Sequence, residues 1–148
     1  MDAILIIDDD DSIRESLAIF LSELNYKTIM GKNGKEGLEL IEKYHPDLVL
    51  TDFKMPGMDG LEVLKGVKEY DTNIPVILIT AFEDMDSTIK AMQLGAYDYI
   101  DKPIESERLR VTIRRALESK KLSERLNVSI SEDLNEYQLE NRLIGKTR

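Results

Sequence analysis

Four consecutive carboxylates, Asp8-Asp9-Asp10-Asp11, directly follow the apolar run Ala3-Ile4-Leu5-Ile6-Ile7. Like charges this close repel one another, so such a cluster at a strand end persists where a cation or a helix terminus compensates it. Capping of the helix that begins near Ser12 accounts for Asp10 or Asp11. It does not account for Asp8 and Asp9, and a metal site does. Further along, Asp52, Thr80 and Lys102 each stand at the end of an apolar run. Mg²⁺ takes a few carboxylates, waters and a phosphate oxygen; Asp8, Asp9 and Asp52 can supply the carboxylates, and a loop carbonyl after Asp52 one more oxygen. Asp52 can then be a nucleophile, because carboxylates form aspartyl-phosphates. In-line phosphoryl transfer relies on positioning and on positive charge around the moving oxygens, which the metal, the Lys102 ammonium and the Thr80 hydroxyl would provide. Singly, each residue has an ordinary reading as a loop cap, a strand-end threonine or a surface lysine before Pro103. Their joint placement is far less ordinary.

That placement depends on the elements carrying these residues. Short apolar runs alternate with amphipathic segments about five times, the signature of a parallel sheet with crossover helices. The strands are expected at Ala3 to Ile7, Lys27 to Met30, Asp47 to Thr51, Pro75 to Ile79 and Tyr97 to Ile100. Three of them are nearly continuous Ile, Leu and Val, as expected of strands buried on both faces. Between them, Ile13, Leu17, Phe20, Leu21 and Leu24 recur at helical spacing, as do Leu38 and Ile41, then Leu61, Leu64 and Val67. Gly95 is expected to end the fourth helix and Ser106 to open the fifth. In an open parallel sheet the carboxyl ends of the strands line the ligand crevice. Four strands therefore aim polar groups at one place, and the second contributes none, which fits the order 2-1-3-4-5. In the loop Lys54-Met55-Pro56-Gly57-Met58-Asp59-Gly60, Pro and Gly shape a turn and Asp59 can cap the next helix.

Composition narrows the function classes. A chain of 148 residues with 42% hydrophobic content holds one ordinary domain and some length to spare. Its formal net charge of −9 argues against direct nucleic-acid contact, which needs clustered Lys and Arg. Without cysteines, neither disulfides nor thiolate metal sites are available. No apolar run is long enough to span a bilayer, and Met1-Asp2-Ala3 lacks the basic flank of a signal peptide, so a soluble, cytoplasmic chain is expected. The lone His45, before Pro46, reads as a loop residue. From about Glu118 the strand signals vanish, and a charged helical pattern with Leu122, Leu126, Ile130, Leu134 and Tyr137 takes over, with Ser129 and Ser131 as potential interruptions. This suits a linker or dimerisation helix.

Residues 1 to about 118 resemble the receiver domain of two-component response regulators. The resemblance rests on Ile6-Ile7-Asp8-Asp9-Asp10, on Leu50-Thr51-Asp52-Phe53-Lys54-Met55-Pro56-Gly57-Met58-Asp59-Gly60, on Ile79-Thr80-Ala81 and on Asp101-Lys102-Pro103. It implies a flavodoxin-like, doubly wound, five-stranded parallel sheet followed by a helical extension. It also implies Asp52 as phosphoacceptor, Asp8 and Asp9 as the acidic pair with Asp9 the direct Mg²⁺ ligand, and the Lys54 carbonyl completing the protein ligands. Mn²⁺ can substitute. Thr80 and Lys102 would contact the phosphoryl group, Ala81 would supply the small residue beside it, and Tyr99 would be the aromatic switch. Lys54 and Phe82 flank the site, where they can tune phosphoryl lifetime. The partner implied is a sensor histidine kinase.

The stretch Ala96 to Ile104, the helix through Ile113-Arg114-Arg115-Ala116-Leu117-Glu118 and the closing Asn141-Arg142-Leu143-Ile144-Gly145-Lys146 look like NtrC-like activators of sigma-54 transcription. There a linker helix leads into an AAA+ ATPase domain. The expected organisation is thus a receiver at 1–118 and, at 119–148, a helical linker that pairs two copies and leads towards an output domain. A receiver with another output, or none, is the alternative. A haloacid-dehalogenase-like phosphatase, suggested by Asp8-x-Asp10, would put the nucleophile on the first strand and need a further acidic motif after the lysine.

Overall fold

The computed structural model describes residues 1–81 and 85–144, with side chains through residue 126. Five strands, β1 (Ala3–Ile7), β2 (Lys27–Gly31), β3 (Leu48–Asp52), β4 (Val76–Thr80) and β5 (Asp98–Asp101), alternate with α1 (Asp11–Glu23), α2 (Gly34–Tyr44), α3 (Gly60–Tyr70), α4 (Met85–Gln93) and α5 (Ser106–Ile144). All pairings are parallel, in the order β2-β1-β3-β4-β5. This is the flavodoxin-like order expected from the alternating pattern.

Because successive strand side chains point to opposite faces, one apolar run feeds two cores. Ile4 and Ile6 of β1, Leu48 and Leu50 of β3, and Ile77 and Ile79 of β4 pack with Leu17 and Leu21 of α1 and with Leu109, Ile113, Ala116 and Leu117 of α5. Leu5, Ile7, Val49, Val76 and Leu78 pack on the other face with Ile41 of α2, Val63, Leu64 and Val67 of α3, and Ala91 of α4. Each fully buried side chain of this size contributes about 1.5–3 kcal/mol. The two-sided core makes the central strands a rigid frame for whatever stands at their ends.

Strands β3 to β5 begin one residue later than the apolar runs suggest. For β3 the cause is visible: the Asp47 carboxylate accepts from the Ala3 amide at 2.8 Å, so Asp47 serves as a side-chain anchor ahead of the strand. Helix starts follow their caps. Asp10, Asn33 and Asp59 accept from the amides of Ile13, Glu36 and Glu62 and open α1, α2 and α3. After α4, Gly95 adopts a positive φ of 106°, and Ser106 opens α5. The interruption expected at Ser129 and Ser131 does not occur, and α5 runs unbroken to Ile144. Serine costs a helix interior only a fraction of a kcal/mol, too little to break it without Gly or Pro nearby. Phe82 and the side chains of Ile130, Leu134 and Tyr137 lie outside the described residues.

Candidate functional site

The site is assembled from the carboxyl ends of β1, β3, β4 and β5. At the end of β1, the Asp8 amide donates to the Gly31 carbonyl at 3.2 Å, extending the ladder with β2 by one bond. The Arg14 guanidinium donates to the Asp8 carbonyl at 2.7 Å, and Asp8 Oδ1 accepts from the Asp10 amide at 2.9 Å. The Asp8 carboxylate is thereby fixed at 1% exposure with its Oδ2 unpartnered. Asp10 is committed to capping α1, while Asp9 projects from the same turn and is exposed.

Asp52 ends β3 at 5% exposure, its Oδ1 accepting from the Phe53 amide at 3.0 Å. The following loop folds tightly back: Gly57 takes a positive φ of 84°, and the Gly60 amide donates to the Phe53 carbonyl at 2.7 Å. A Cβ at Gly60 would lie 2.9 Å from Phe53 Cα and 3.1 Å from the Asp52 carbonyl, so only glycine lets α3 begin against the strand end. Lys54 sits in this loop, exposed, two residues past Asp52.

Thr80 closes β4, nearly buried, and its hydroxyl donates to the Ala81 carbonyl at 3.0 Å. The Lys102 amide donates to the Thr80 carbonyl at 3.0 Å, and the Lys102–Pro103 peptide is cis. From there the Lys102 ammonium reaches Asp52 Oδ1 at 3.0 Å. Tyr99, on β5, is partly buried against the core on the α2–α4 face.

Carboxylate oxygens of Asp8, Asp9 and Asp52 lie within 4.8 Å of one another. Burial pushes the Asp8 carboxyl above the ordinary carboxylate range; the Asp10 amide opposes this, the Asp52 charge reinforces it, Lys102 opposes it and Asp9 adds to it. Among the described residues, the Lys102 ammonium is paired with Asp52 beside a cluster of three carboxylates. A buried carboxylate with an unpartnered oxygen, in such a cluster, fits a hard, oxygen-seeking cation.

Sequence reasoning singled out Asp8, Asp9, Asp52, Thr80 and Lys102, and the fold brings them together. Tyr99 stands on β5, paired with Leu78 two residues before Thr80. Arg14 was missed. A single arginine one turn into a helix carries no pattern that marks it as a support for the Asp8 backbone. His45 lies at the opposite end of the sheet, in left-handed conformation at the end of α2, stacked on Tyr70.

Residues 4–114 match the sequence model of the response regulator receiver domain. The chain belongs to this family. Receiver domains are signalling switches that histidine kinases phosphorylate and whose acidic residues bind Mg²⁺. The chain is 40% identical to sporulation initiation phosphotransferase F of Bacillus subtilis, with 77% of this chain and 92% of that protein aligned. It is 38% identical to regulatory protein AtoC of Escherichia coli over 78% of this chain, but spans only 25% of that protein. With the C4-dicarboxylate transport transcriptional regulatory protein DctD of Pseudomonas aeruginosa it shares 35% identity over 97% of its length, spanning 31% of that regulator. Among solved structures, NtrX from Brucella abortus superposes with a TM-score of 0.81 at 32% identity, covering 86% of this chain and 30% of that one. Membership of this family sets aside the phosphatase reading of Asp8-x-Asp10, and Asp10 is in any case engaged as the α1 cap. Among the described residues, no helix is long and apolar enough to cross a membrane.

Proposed function

We propose that this chain is the phosphorylation-dependent switch of a two-component system, with Asp52 as phosphoacceptor. The observation that carries the reading is the convergence, at the mouth of a rigid sheet, of Asp52, its partner Lys102 at 3.0 Å and the underneutralised acidic pair. One Asp52 oxygen attacks the phosphorus of a kinase phosphohistidine; the P–O bond forms as the P–N bond breaks, and the imidazole leaves with a proton. Asp8, Asp9, Asp52 and the Lys54 carbonyl would hold Mg²⁺, or Mn²⁺ in its place, and the ion would supply positive charge to the phosphoryl oxygens. Lys102 fixes the acceptor and shares that charge. Thr80, on the neighbouring strand, turns its hydroxyl from Ala81 to the phosphoryl group, and Tyr99 follows inward. The added charge of about −1.5 to −2 shifts a pre-existing equilibrium in the face formed by α4, β5 and α5.

The receiver occupies 1–118, and 119–148 is a linker that pairs two copies and leads to an AAA+ output domain of a sigma-54 activator. The DctD match, which continues through the tail, supports this organisation. So do Leu122 and Leu126, 57% and 52% exposed on α5, which a second copy would cover. The cell compartment is the cytoplasm, where the kinase presents its phosphohistidine. Incubation with acetyl phosphate and Mg²⁺ followed by peptide mapping tests the reading: hydroxylamine-labile phosphate on Asp52 supports it, and phosphate on Asp8 or no uptake overturns it.

A further inference from the structure

The apolar hold on α5 ends at Leu117, the last of its buried residues among those described. The helix nevertheless continues to Ile144, about 40 Å further at 1.5 Å per residue. A tilt of only about 10° at its base would displace the far end by about 7 Å. The direction in which the helix leaves is therefore decided by contacts just beyond Leu117.

Two ion pairs stand there. The Lys120 ammonium lies 3.6 Å from Asp47 Oδ1 and 2.8 Å from Glu124 of the next turn, with its side chain only 14% exposed. The Lys121 ammonium lies 3.1 Å from Asp2 Oδ2. Asp47 is fixed through its carboxylate, and Asp2 is anchored through its main chain. Asp47 is tied to Ala3 by its own amide and by its Oδ2, each at 2.8 Å, and the Asp2 carbonyl accepts from the Lys27 amide at 2.9 Å. An exposed ion pair ordinarily gains little because two loose side chains must be ordered. Here the Asp47 carboxylate is held by a backbone hydrogen bond and the Asp2 main chain by another, which removes part of that cost. The two lysines are adjacent in sequence and so project about 100° apart around the helix axis. One pair would restrain the position of the helix and let it roll; two pairs at this angle restrain tilt and roll together.

We propose that Lys120 and Lys121 form a two-point clamp, on Asp47 and Asp2, that fixes the direction in which α5 leaves the domain. The clamp grips the amino ends of β1 and β3, the strands whose carboxyl ends carry Asp8 and Asp52. It thus ties the extension to the central frame of the sheet.

The chain has no cysteines, so two introduced ones can be spin-labelled cleanly. With labels at Glu42→Cys and Arg125→Cys, both exposed positions, and an excess of unlabelled protein to dilute pairs between copies, the distance distribution reads the helix direction. The parent is expected to give one narrow distribution, and Lys120→Met with Lys121→Met to widen it at least about twofold, because methionine keeps the stems and removes the charges. Exchanging the charges of one pair, Asp2→Lys with Lys121→Asp, should keep the parent width. High salt should widen the parent and leave the double methionine variant unchanged. A double methionine variant as narrow as the parent, or a charge-exchanged chain as wide as the double methionine variant, overturns the proposal.

Discussion

The two ends of β1 and β3 carry the same residue type and treat it in opposite ways. At the amino ends, Asp2 and Asp47 each meet a lysine of α5, and Asp47 has hydrogen-bond or ionic partners on both oxygens. At the carboxyl ends, Asp8 is buried with one oxygen unpartnered, and of the clustered Asp8, Asp9 and Asp52 only Asp52 is paired with Lys102 among the described residues. Balanced carboxylates at a strand end act as joints. Underneutralised ones hold electrostatic repulsion that a cation or a phosphoryl group with its counter-ion can relieve. The same chemistry thus gives architecture at one end and reactivity at the other, according to how many partners the fold delivers.

The largest effect is expected from removing the nucleophile. Asp52→Asn should lower phosphate uptake from acetyl phosphate by at least about a hundredfold, because an amide oxygen cannot form the aspartyl-phosphate. Uptake at the parent rate would mean that the reactive end has been misassigned.

Next in size is a division within the acidic run. Asp9→Ala should weaken Mg²⁺ or Mn²⁺ binding by at least about tenfold, since even residues behind the ligands of a metal cost that much. Asp10→Ala should instead cost about 1 kcal/mol of stability through the lost α1 cap, with little change in metal affinity. A calorimetric titration in which both variants bind metal equally would erase the distinction between a ligand and a cap.

Smaller, and opposite in sign at the two ends, is the response to neutralising one carboxylate. Asp8→Asn should stabilise the metal-free chain by about 1 kcal/mol, raising the melting temperature by about 2–4 °C in a chain of this size. It should also abolish the stabilisation that Mg²⁺ gives the parent. The pH dependence has a definite sign. The Asp8 carboxyl titrates above its ordinary 3.8 in the folded chain, so the folded state binds more protons than the unfolded state in the interval between the two values. The contribution of Asp8 to stability therefore falls as pH rises through that interval, and its full cost is present above it. Thermal melts of the parent against Asp8→Asn across the acid range should show this difference shrinking as pH falls.

The smallest effect belongs to the balanced end. Asp47→Asn keeps an acceptor for the Ala3 amide and loses the ion pair with Lys120, so it should destabilise by no more than about 1 kcal/mol. A stabilising Asp47→Asn, or a destabilising Asp8→Asn, in chemical denaturation would break the contrast between the ends.

Much of this protein is determined by the sequence alone. The alternation of apolar runs with helical periodicity specifies a parallel sheet with crossover helices, because runs of Ile, Leu and Val this short, set between amphipathic segments, fit strands buried on both faces. Caps such as Asp10, Asp59 and Gly95 act through their immediate neighbours, so local pattern finds them. The candidate residues Asp8, Asp9, Asp52, Thr80 and Lys102 were legible for a related reason: in a parallel sheet, standing at the end of a strand already means standing at the crevice. What the tertiary structure alone decided is which charges find partners. Sequence places Asp8 after its strand and Asp47 before its own, but it cannot say which of their oxygens find partners. One has an unpartnered buried oxygen and the other a lysine from a helix more than seventy residues away. Arg14 escaped notice for the same reason, because its role is a bond to a backbone carbonyl. Partnering depends on distances across the fold, and burial decides what a missing partner costs; neither is encoded in spacing along the chain.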